Sequence, residues 1–207
     1  MKPAKLTLLA FASLCVISCS WGDDLDQTHD QVLTIAYKSP DANFSQYSTF
    51  AIADSMCTVV NGKKERVQNA ESMKISSQVV KILTEQMKYT QVPATSNPDL
   101  LVDIGYIQST NTTIYPGYWS DWHWWWTQYF YPWYPWDPYY PYPMPTVVSS
   151  YTTGTLIFEI ADVTRVKQET SVPIVWHGVV RSILNRPHTE AQLTDAIQEV
   201  FTILPPK

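Results

Sequence analysis

The stretch "TGTLIFEIADV", residues 153–163, indicates the fold more directly than any other part of the chain. In it Leu156, Phe158 and Ile160 fall at every second position, so their side chains point to one side of an extended strand. That alternation is typical of a strand that packs one face against a hydrophobic core. The segment therefore predicts one strand of a sheet, whose other strands must lie elsewhere in the chain.

Four other segments also have the character of strands. They are "QVLTIAYK" (31–38), "TFAIAD" (49–54), "LLVDIGYIQSTNTTI" (100–114) and "PIVWHGVVRSIL" (173–184). Strands that follow one another without a helix between them predict hairpins. The segment 55–69 carries an Asn-Gly tight-turn signal. We predict that it is a loop.

Two segments show the period of an amphipathic helix with one broad buried face. The first covers residues 70–89, with Asn69 as its N-cap. The second follows a capping-box pattern at 189–192 and stops at Pro205. The buried stripe predicted for the first helix comprises Met73, Val80, Leu83 and Met87, widened by Ile75, Val79 and Ile82.

The order of these elements is strand, strand, helix, strand, long insertion, strand, strand, helix. It predicts an α+β fold in which a largely antiparallel sheet buries both amphipathic helices on one face. The aromatic and proline-rich insertion at 115–145 lies between two strands that we expect to be hairpin partners. We predict a single domain over residues 31–207, a size that one hydrophobic core can support.

The amino terminus, residues 1–19, has two lysines followed by an apolar run that is too short to span a bilayer. It ends in Val-Ile-Ser-Cys19, which resembles the lipobox of bacterial lipoproteins. The resemblance implies a signal peptide at 1–18, and a lipidated tether at 19–30 that begins with Cys19. Diacylglycerol and a further acyl chain such as palmitate would then anchor the protein stably. The alternative is an ordinary secretory signal with a chance cysteine.

The sequence after Cys19, "SWGDDLDQTHDQ", is acidic and is similar to the surface-export signal of lipoproteins in the Bacteroidetes. A solvated tether is the alternative. We expect an outer-membrane-anchored lipoprotein that is either periplasmic or surface-exposed. Cys57 would be the only thiol left in the mature chain, which excludes an intramolecular disulfide.

Charge and motifs exclude several classes of function. The net charge of -5 and the absence of a Lys/Arg cluster argue against binding to nucleic acid. No Gly-x-Ser-x-Gly, His-Glu-x-x-His or phosphate-loop motif is present. The four histidines lack a second ligand at metal spacing, so neither a metal nor another cofactor is expected.

Four carboxylates at or near strand ends are the candidates for acid–base chemistry: Asp99, Asp103, Glu159 and Asp162. A pair of them could serve a carboxylate-based hydrolase. Acids at strand ends more commonly cap turns, however, and Asp103 would need a partner such as Arg181 if it were buried. We therefore expect no catalysis, with a hydrolase as the weaker alternative.

The insertion "YPGYWSDWHWWWTQYFYPWYPWDPYYPYPMP" is about half Trp or Tyr and nearly a quarter Pro. Its prolines predict extended or turn-like backbone over the second half. The rings have three possible roles: packing on the sheet's own open face, contact with a membrane or protein partner, or stacking on a glycan. The candidate ligand or interface residues are Trp119, Trp122, Trp124, Trp125, Trp126, Tyr129, Trp133 and Trp136.

Several blocks resemble one family over nearly all of the mature chain. They are "FSQYSTFAI", "NPDLLVDI", "YTTGTLIFEIADV", "VWHGVV" and a closing helix that ends in "LPP". These blocks resemble the family called "domain of unknown function 4136", whose members are mostly bacterial envelope lipoproteins with no catalytic residues. The resemblance implies the fold and the envelope location, and it adds nothing on function. We expect a non-catalytic structural or interaction protein. The alternative is a carbohydrate- or peptidoglycan-binding module that uses the aromatic insertion.

Overall fold

A computed structural model describes residues 32–60, 63–107, 112–114, 149–151, 154–165, 173–181, 183–184 and 187–204. All of them belong to one of the two units into which the chain divides, Val32–Lys207. The predicted signal peptide and tether lie outside the described residues, as does the aromatic insertion.

The described residues form ten strands and two helices. The strands are β1 (Leu33–Lys38), β2 (Thr49–Ile52), β3 (Met56–Val60), β4 (Lys63–Val67), β5 (Thr90–Gln91), β6 (Leu100–Ile107), β7 (Thr112–Ile114), β8 (Ser149–Tyr151), β9 (Thr155–Asp162) and β10 (Ile174–Arg181). The helices are α1 (Ala70–Lys81), which continues as a π-helical turn over Ile82–Gln86, and α2 (Glu190–Phe201).

Eight of the strands form a mixed sheet. Strands β1, β10, β9, β6, β2 and β5 lie side by side in that order, and β3 pairs with both β4 and β6. The β1–β10, β10–β9, β9–β6 and β3–β4 pairs are antiparallel, whereas β2 and β3 run parallel to β6 and β2 runs parallel to β5. Helix α1 returns the chain between β4 and β5, and such a crossover permits parallel pairing. The α+β prediction is confirmed, with more parallel pairing than a largely antiparallel sheet implies.

The segment predicted as a loop, residues 55–69, is instead a hairpin. Strands β3 and β4 pair antiparallel with Val60 opposite Lys63, so only the Asn-Gly dipeptide separates them in the chain. A two-residue Asn-Gly connection is a strong hairpin signal. The loop prediction was wrong because β4, "KKERV", pairs with a single neighbour and lacks apolar alternation.

Both helices begin at the predicted caps. At α1 the Ser72 N–H donates to Asn69 Oδ1 at 2.8 Å, and the Asn69 N–H donates to Ser72 Oγ at 2.8 Å. At α2 the Gln192 N–H donates to Thr189 Oγ1 at 3.2 Å, and the Thr189 N–H donates to Gln192 Oε1 at 2.9 Å. Each pair satisfies donors that a helix start leaves without an intrahelical partner. Among the described residues, no helix is long and apolar enough to cross a membrane.

The two helices share one hydrophobic core with one face of the sheet, called here the helix face. This core contains Ile75, Val79, Ile82 and Leu83 from the first helix, Ala196, Ile197, Val200 and Phe201 from the second, and Leu100, Val102, Ile104, Leu156, Phe158, Ile160, Trp176 and Val180 from the strands. Met73 was predicted to be buried but is 57% exposed, because the buried stripe of α1 is centred on Ile75 and Val79.

Candidate functional site

The structure does not describe the residues that sequence reasoning singled out for binding. Cys19 and the candidate contact residues from Trp119 to Trp136 all lie outside the described residues. Strands β7 and β8, which flank the insertion, pair antiparallel with Ile114 opposite Ser149. The chain thus leaves and returns at neighbouring positions. A site can be built only from the sheet itself.

The sheet has a second face, opposite the helix face, and this face is also buried. Along β6, β9 and β10 the residues that alternate with the helix-face residues point to it. Apart from Val175, which lies at a bulge in β10, none of them belongs to the core shared with the helices. The buried residues of this second face include Cys57, Leu101, Asp103, Ile107, Thr155, Ile157, Glu159, Ala161, His177 and Val179.

Four ionisable residues follow one another across the second face, and we call them the polar row: Arg66, Asp103, Glu159 and His177. The strand register creates the row, because Asp103 lies opposite Glu159 on β6 and β9, and His177 lies opposite Glu159 on β10. Arg66 enters from β4. Asp103 and Glu159 are 2% and 1% exposed, so both carboxylates are removed from water.

Arg66 and Asp103 form a bidentate ion pair. Arg66 Nη1 donates to Asp103 Oδ1 at 3.0 Å and Nη2 donates to Oδ2 at 3.1 Å. Nη1 also donates to the Ser55 carbonyl at 3.0 Å, and the Ile104 N–H donates to Asp103 Oδ1 at 3.0 Å. Burial raises the pKa of Asp103 above its ordinary value, and the Arg66 guanidinium opposes that rise.

Arg181, the partner predicted for Asp103, is not the residue that pairs with it. The register places His177, four residues before Arg181, in line with Glu159 and Asp103. Arg181 is therefore displaced by about 13 Å along its strand. Arg66 was missed because its segment was taken for a loop. A usable signal was present, since single acids interrupt the apolar runs "LLVDIGYI" and "TLIFEIAD".

The other half of the row joins Glu159 to His177. His177 Nδ1 lies 3.2 Å from Glu159 Oε1, and the imidazole is 7% exposed. Two carboxylates thus lie side by side on neighbouring strands, one bound to a guanidinium and the other to an imidazole. Such pairing offsets the cost of burying like charges together.

The remaining candidate acids, Asp99 and Asp162, stabilise backbone turns as expected for acids at strand ends. Asp99 Oδ2 accepts from the N–H groups of Ser48 and Thr49 at 2.7 and 2.9 Å. Asp162 Oδ2 accepts from the Tyr47 hydroxyl at 2.6 Å, and its Oδ1 accepts from the Thr164 N–H at 2.9 Å. Within the part of the chain that the structure describes, no group of three His, Cys, Asp or Glu residues could hold a metal ion.

Comparison with known proteins gives one family and several similar folds. The family model described as "Domain of unknown function (DUF4136)" matches residues 35–206. A crystal structure of a DUF4136 family protein from Bacteroides thetaiotaomicron is similar at 24% identity and a TM-score of 0.59, over 83% of this chain and 94% of that one.

Two further structures are similar at lower scores. The PelC dodecamer from Paraburkholderia phytofirmans has 12% identity and a TM-score of 0.43, over 86% of this chain and 99% of that one. A PDZ domain protein from Parabacteroides distasonis has 11% identity and a TM-score of 0.39, over 86% of this chain and 37% of that one. No curated protein matches the chain.

Proposed function

The chain belongs to the family described as domain of unknown function DUF4136, and from that premise we propose that it is a lipid-anchored protein of the bacterial cell envelope with a structural or interaction role. Catalysis forms no part of the proposal. The proposal of a non-catalytic role rests on one observation: each of the four candidate carboxylates has hydrogen-bond partners within the fold.

Acid–base catalysis needs two groups that reach the same substrate from a common cleft. Asp99 holds the start of β2, and Asp162 bonds to Tyr47, which belongs to the core on the helix face. Asp103 and Glu159 lie on the opposite face and are buried. Because the four acids are divided in this way, they do not converge on one accessible point.

The anchor is proposed from the lipobox at Cys19. The tether, residues 19–30, can extend by at most about 43 Å before the domain begins. A domain on so short a tether stays close to the membrane surface. This position suits a protein that contacts envelope components.

The two cysteines at the amino terminus provide a matched test of the anchor. We would express the full chain, Cys19→Ser and Cys15→Ser in a bacterium, partition each between Triton X-114 and water, and measure intact masses. We expect the full chain and Cys15→Ser in the detergent phase, with the mass of an acylated chain that begins at Cys19. Cys19→Ser should move to the aqueous phase. An unmodified wild-type chain in water would refute the anchor.

The absence of catalysis is tested separately, with isosteric changes to the buried acids. The wild type, Asp103→Asn and Glu159→Gln would be incubated with peptidoglycan, oligosaccharides and ester substrates while products are followed by mass spectrometry. We expect no turnover by any of the three proteins. Turnover by the wild type that disappears in either variant would establish an enzyme.

A further inference from the structure

The second face of the sheet is as well buried as the helix face, yet the described elements cover only one of them. Leu101 and Ile157 are 0% exposed and Val179 is 3% exposed. Ile35 on the edge strand β1 lies in register with Val179 and points to the same side, but it is 42% exposed. Something therefore covers β6, β9 and β10 and stops before β1.

The covering segment must come from outside the described residues, and these differ greatly in what they offer. The connection 166–172 is "VKQETSV", which is short and mostly polar. The amino-terminal part would retain only the acidic tether 19–30 after the proposed cleavage. Once residues 1–18 and their apolar run are removed, only residues 115–148 among the undescribed segments combine length with a large apolar surface, because about half of their first 31 positions are Trp or Tyr.

The points where this connection begins and ends allow it to reach the second face. Ile114 and Ser149 are paired neighbours, so the chain starts and finishes at one place. A connection of this length extends about 110 Å, or about 55 Å out and back. An eight-residue strand such as β9 is only about 27 Å long. The connection is therefore long enough to run along β6 and β9 and return.

The chemistry of the second face also favours an aromatic cover. Its apolar residues need large hydrophobic surfaces, while its polar row contains two buried carboxylates. Trp N–H and Tyr O–H groups can donate to carboxylates without bringing in another charge. The acidic tether would add like charges beside Asp103 and Glu159, which is costly at low dielectric.

We infer that the second face is the docking surface for the chain's own aromatic connection, residues 115–148, and that the polar row receives hydrogen-bond donors from it. The sheet is then the middle of three layers, with helices on one side and aromatic rings on the other. This inference goes beyond the proposed function but rests on the cleavage proposed there, because an uncleaved chain would keep the apolar run of residues 6–17. Rings that contact the second face would then stabilise the fold, and only the remaining rings could bind a partner.

Neighbouring valines on β10 provide a matched test. Val179 points to the second face and Val180 to the helix face, and both are buried. In the chain expressed without residues 1–18 and carrying Cys19→Ser and Cys57→Ala, we would introduce Val179→Cys or Val180→Cys, each with and without replacement of residues 118–143 by a Gly-Ser linker. The rate of reaction with a thiol reagent is then measured.

We expect both thiols to be protected in the undeleted chain. The deletion should raise the rate at Val179→Cys by about 100-fold and leave Val180→Cys within about threefold, because it uncovers only one face. Continued protection of Val179→Cys after the deletion would overturn the inference. A faster thiol reaction at both positions would show that the deletion has opened the sheet itself. In that case a second measurement, on the undeleted chain, decides whether residues 115–148 cover the second face.

That measurement uses photo-leucine incorporated in place of leucine in the undeleted full-length chain. Leu101 points to the second face, and Leu100 belongs to the core on the helix face. After irradiation and digestion, we expect cross-links from position 101 to residues 115–148, and from position 100 to the helix-face core. Cross-links from position 101 to the amino-terminal segment or to a second copy would overturn the inference.

Discussion

The two faces of the sheet reach similar burial by different physical means. On the helix face Phe201 packs against Trp176 and Phe158, with ring centroids 4.7 and 5.4 Å apart. The second face sets polar pairs among its apolar residues: Asp103 forms an ion pair with Arg66, and Glu159 Oε1 lies 3.2 Å from His177 Nδ1. Apolar packing tolerates many substitutions of similar volume. A buried ion pair does not tolerate the loss of one partner.

The largest effect should come from breaking the polar row. Arg66→Met leaves the Asp103 carboxylate buried without its guanidinium, and we expect a loss of about 3–5 kcal/mol in the free energy of unfolding. Urea denaturation followed by circular dichroism measures it. The matched control is Lys74→Met, which removes the exposed bridge to Glu190 at 3.5 Å between the two helices. That change should cost less than about 1 kcal/mol.

A double variant separates the charge from the shape of this pair. Arg66→Met combined with Asp103→Leu removes both charges, so we expect it to recover most of the stability that Arg66→Met loses. Additive losses in the double variant would contradict this explanation. They would show instead that the polar row contributes through packing, as the helix face does.

Gly178→Ala tests the corresponding sensitivity of the helix face, where shape matters. A methyl group at position 178 would clash with the Cη2 atom of the Trp176 ring, which crosses the glycine. The ring would have to move against Phe201, at a cost of about 1–3 kcal/mol. Thermal and urea denaturation measure the loss. In a double-mutant cycle, Trp176→Phe should remove part of this cost.

Independent effects of Trp176→Phe and Gly178→Ala would show that the ring and the glycine are not coupled. In that case the glycine on β10 would reflect some property of the backbone. The helix face would then lose its clearest example of shape-dependent packing, and the contrast with the polar row would weaken.

Sequence patterns predict the helix face far better than the second face, for a physical reason. Alternating apolar residues, caps and helical periodicity depend on local geometry, and they predicted β6, β9, α1 and α2. The polar row depends on strand register and on Arg66, whose strand β4 has only one neighbour and therefore no apolar pattern. No local rule connects residues 66, 103, 159 and 177. Only the pairing of five strands, β4, β3, β6, β9 and β10, brings them together.

The smallest predicted effect concerns a hydroxyl group on the helix face. The Tyr89 hydroxyl donates to the Phe44 carbonyl at 3.1 Å, and burial raises the pKa of Tyr89 to about 12. Tyr89→Phe should therefore cost about 1 kcal/mol at pH 7. Because the unfolded chain loses this proton near pH 10, the stabilisation from the buried hydroxyl is complete below pH 10 and is lost as the pH rises toward 12.

By pH 11 the ionisation of Tyr89 in the unfolded chain should lower the free energy of unfolding of the wild type by roughly 1.4 kcal/mol. The Tyr89→Phe variant lacks this hydroxyl and should lose nothing from it. The two unfolding free energies, measured by urea denaturation from pH 7 to pH 11, should therefore converge near pH 11. A constant gap between them would mean that Tyr89 ionises equally easily in the folded and unfolded chains. Convergence would distinguish the two faces, because helix-face stability would then depend on a neutral hydroxyl and second-face stability on the ion pair between Arg66 and Asp103.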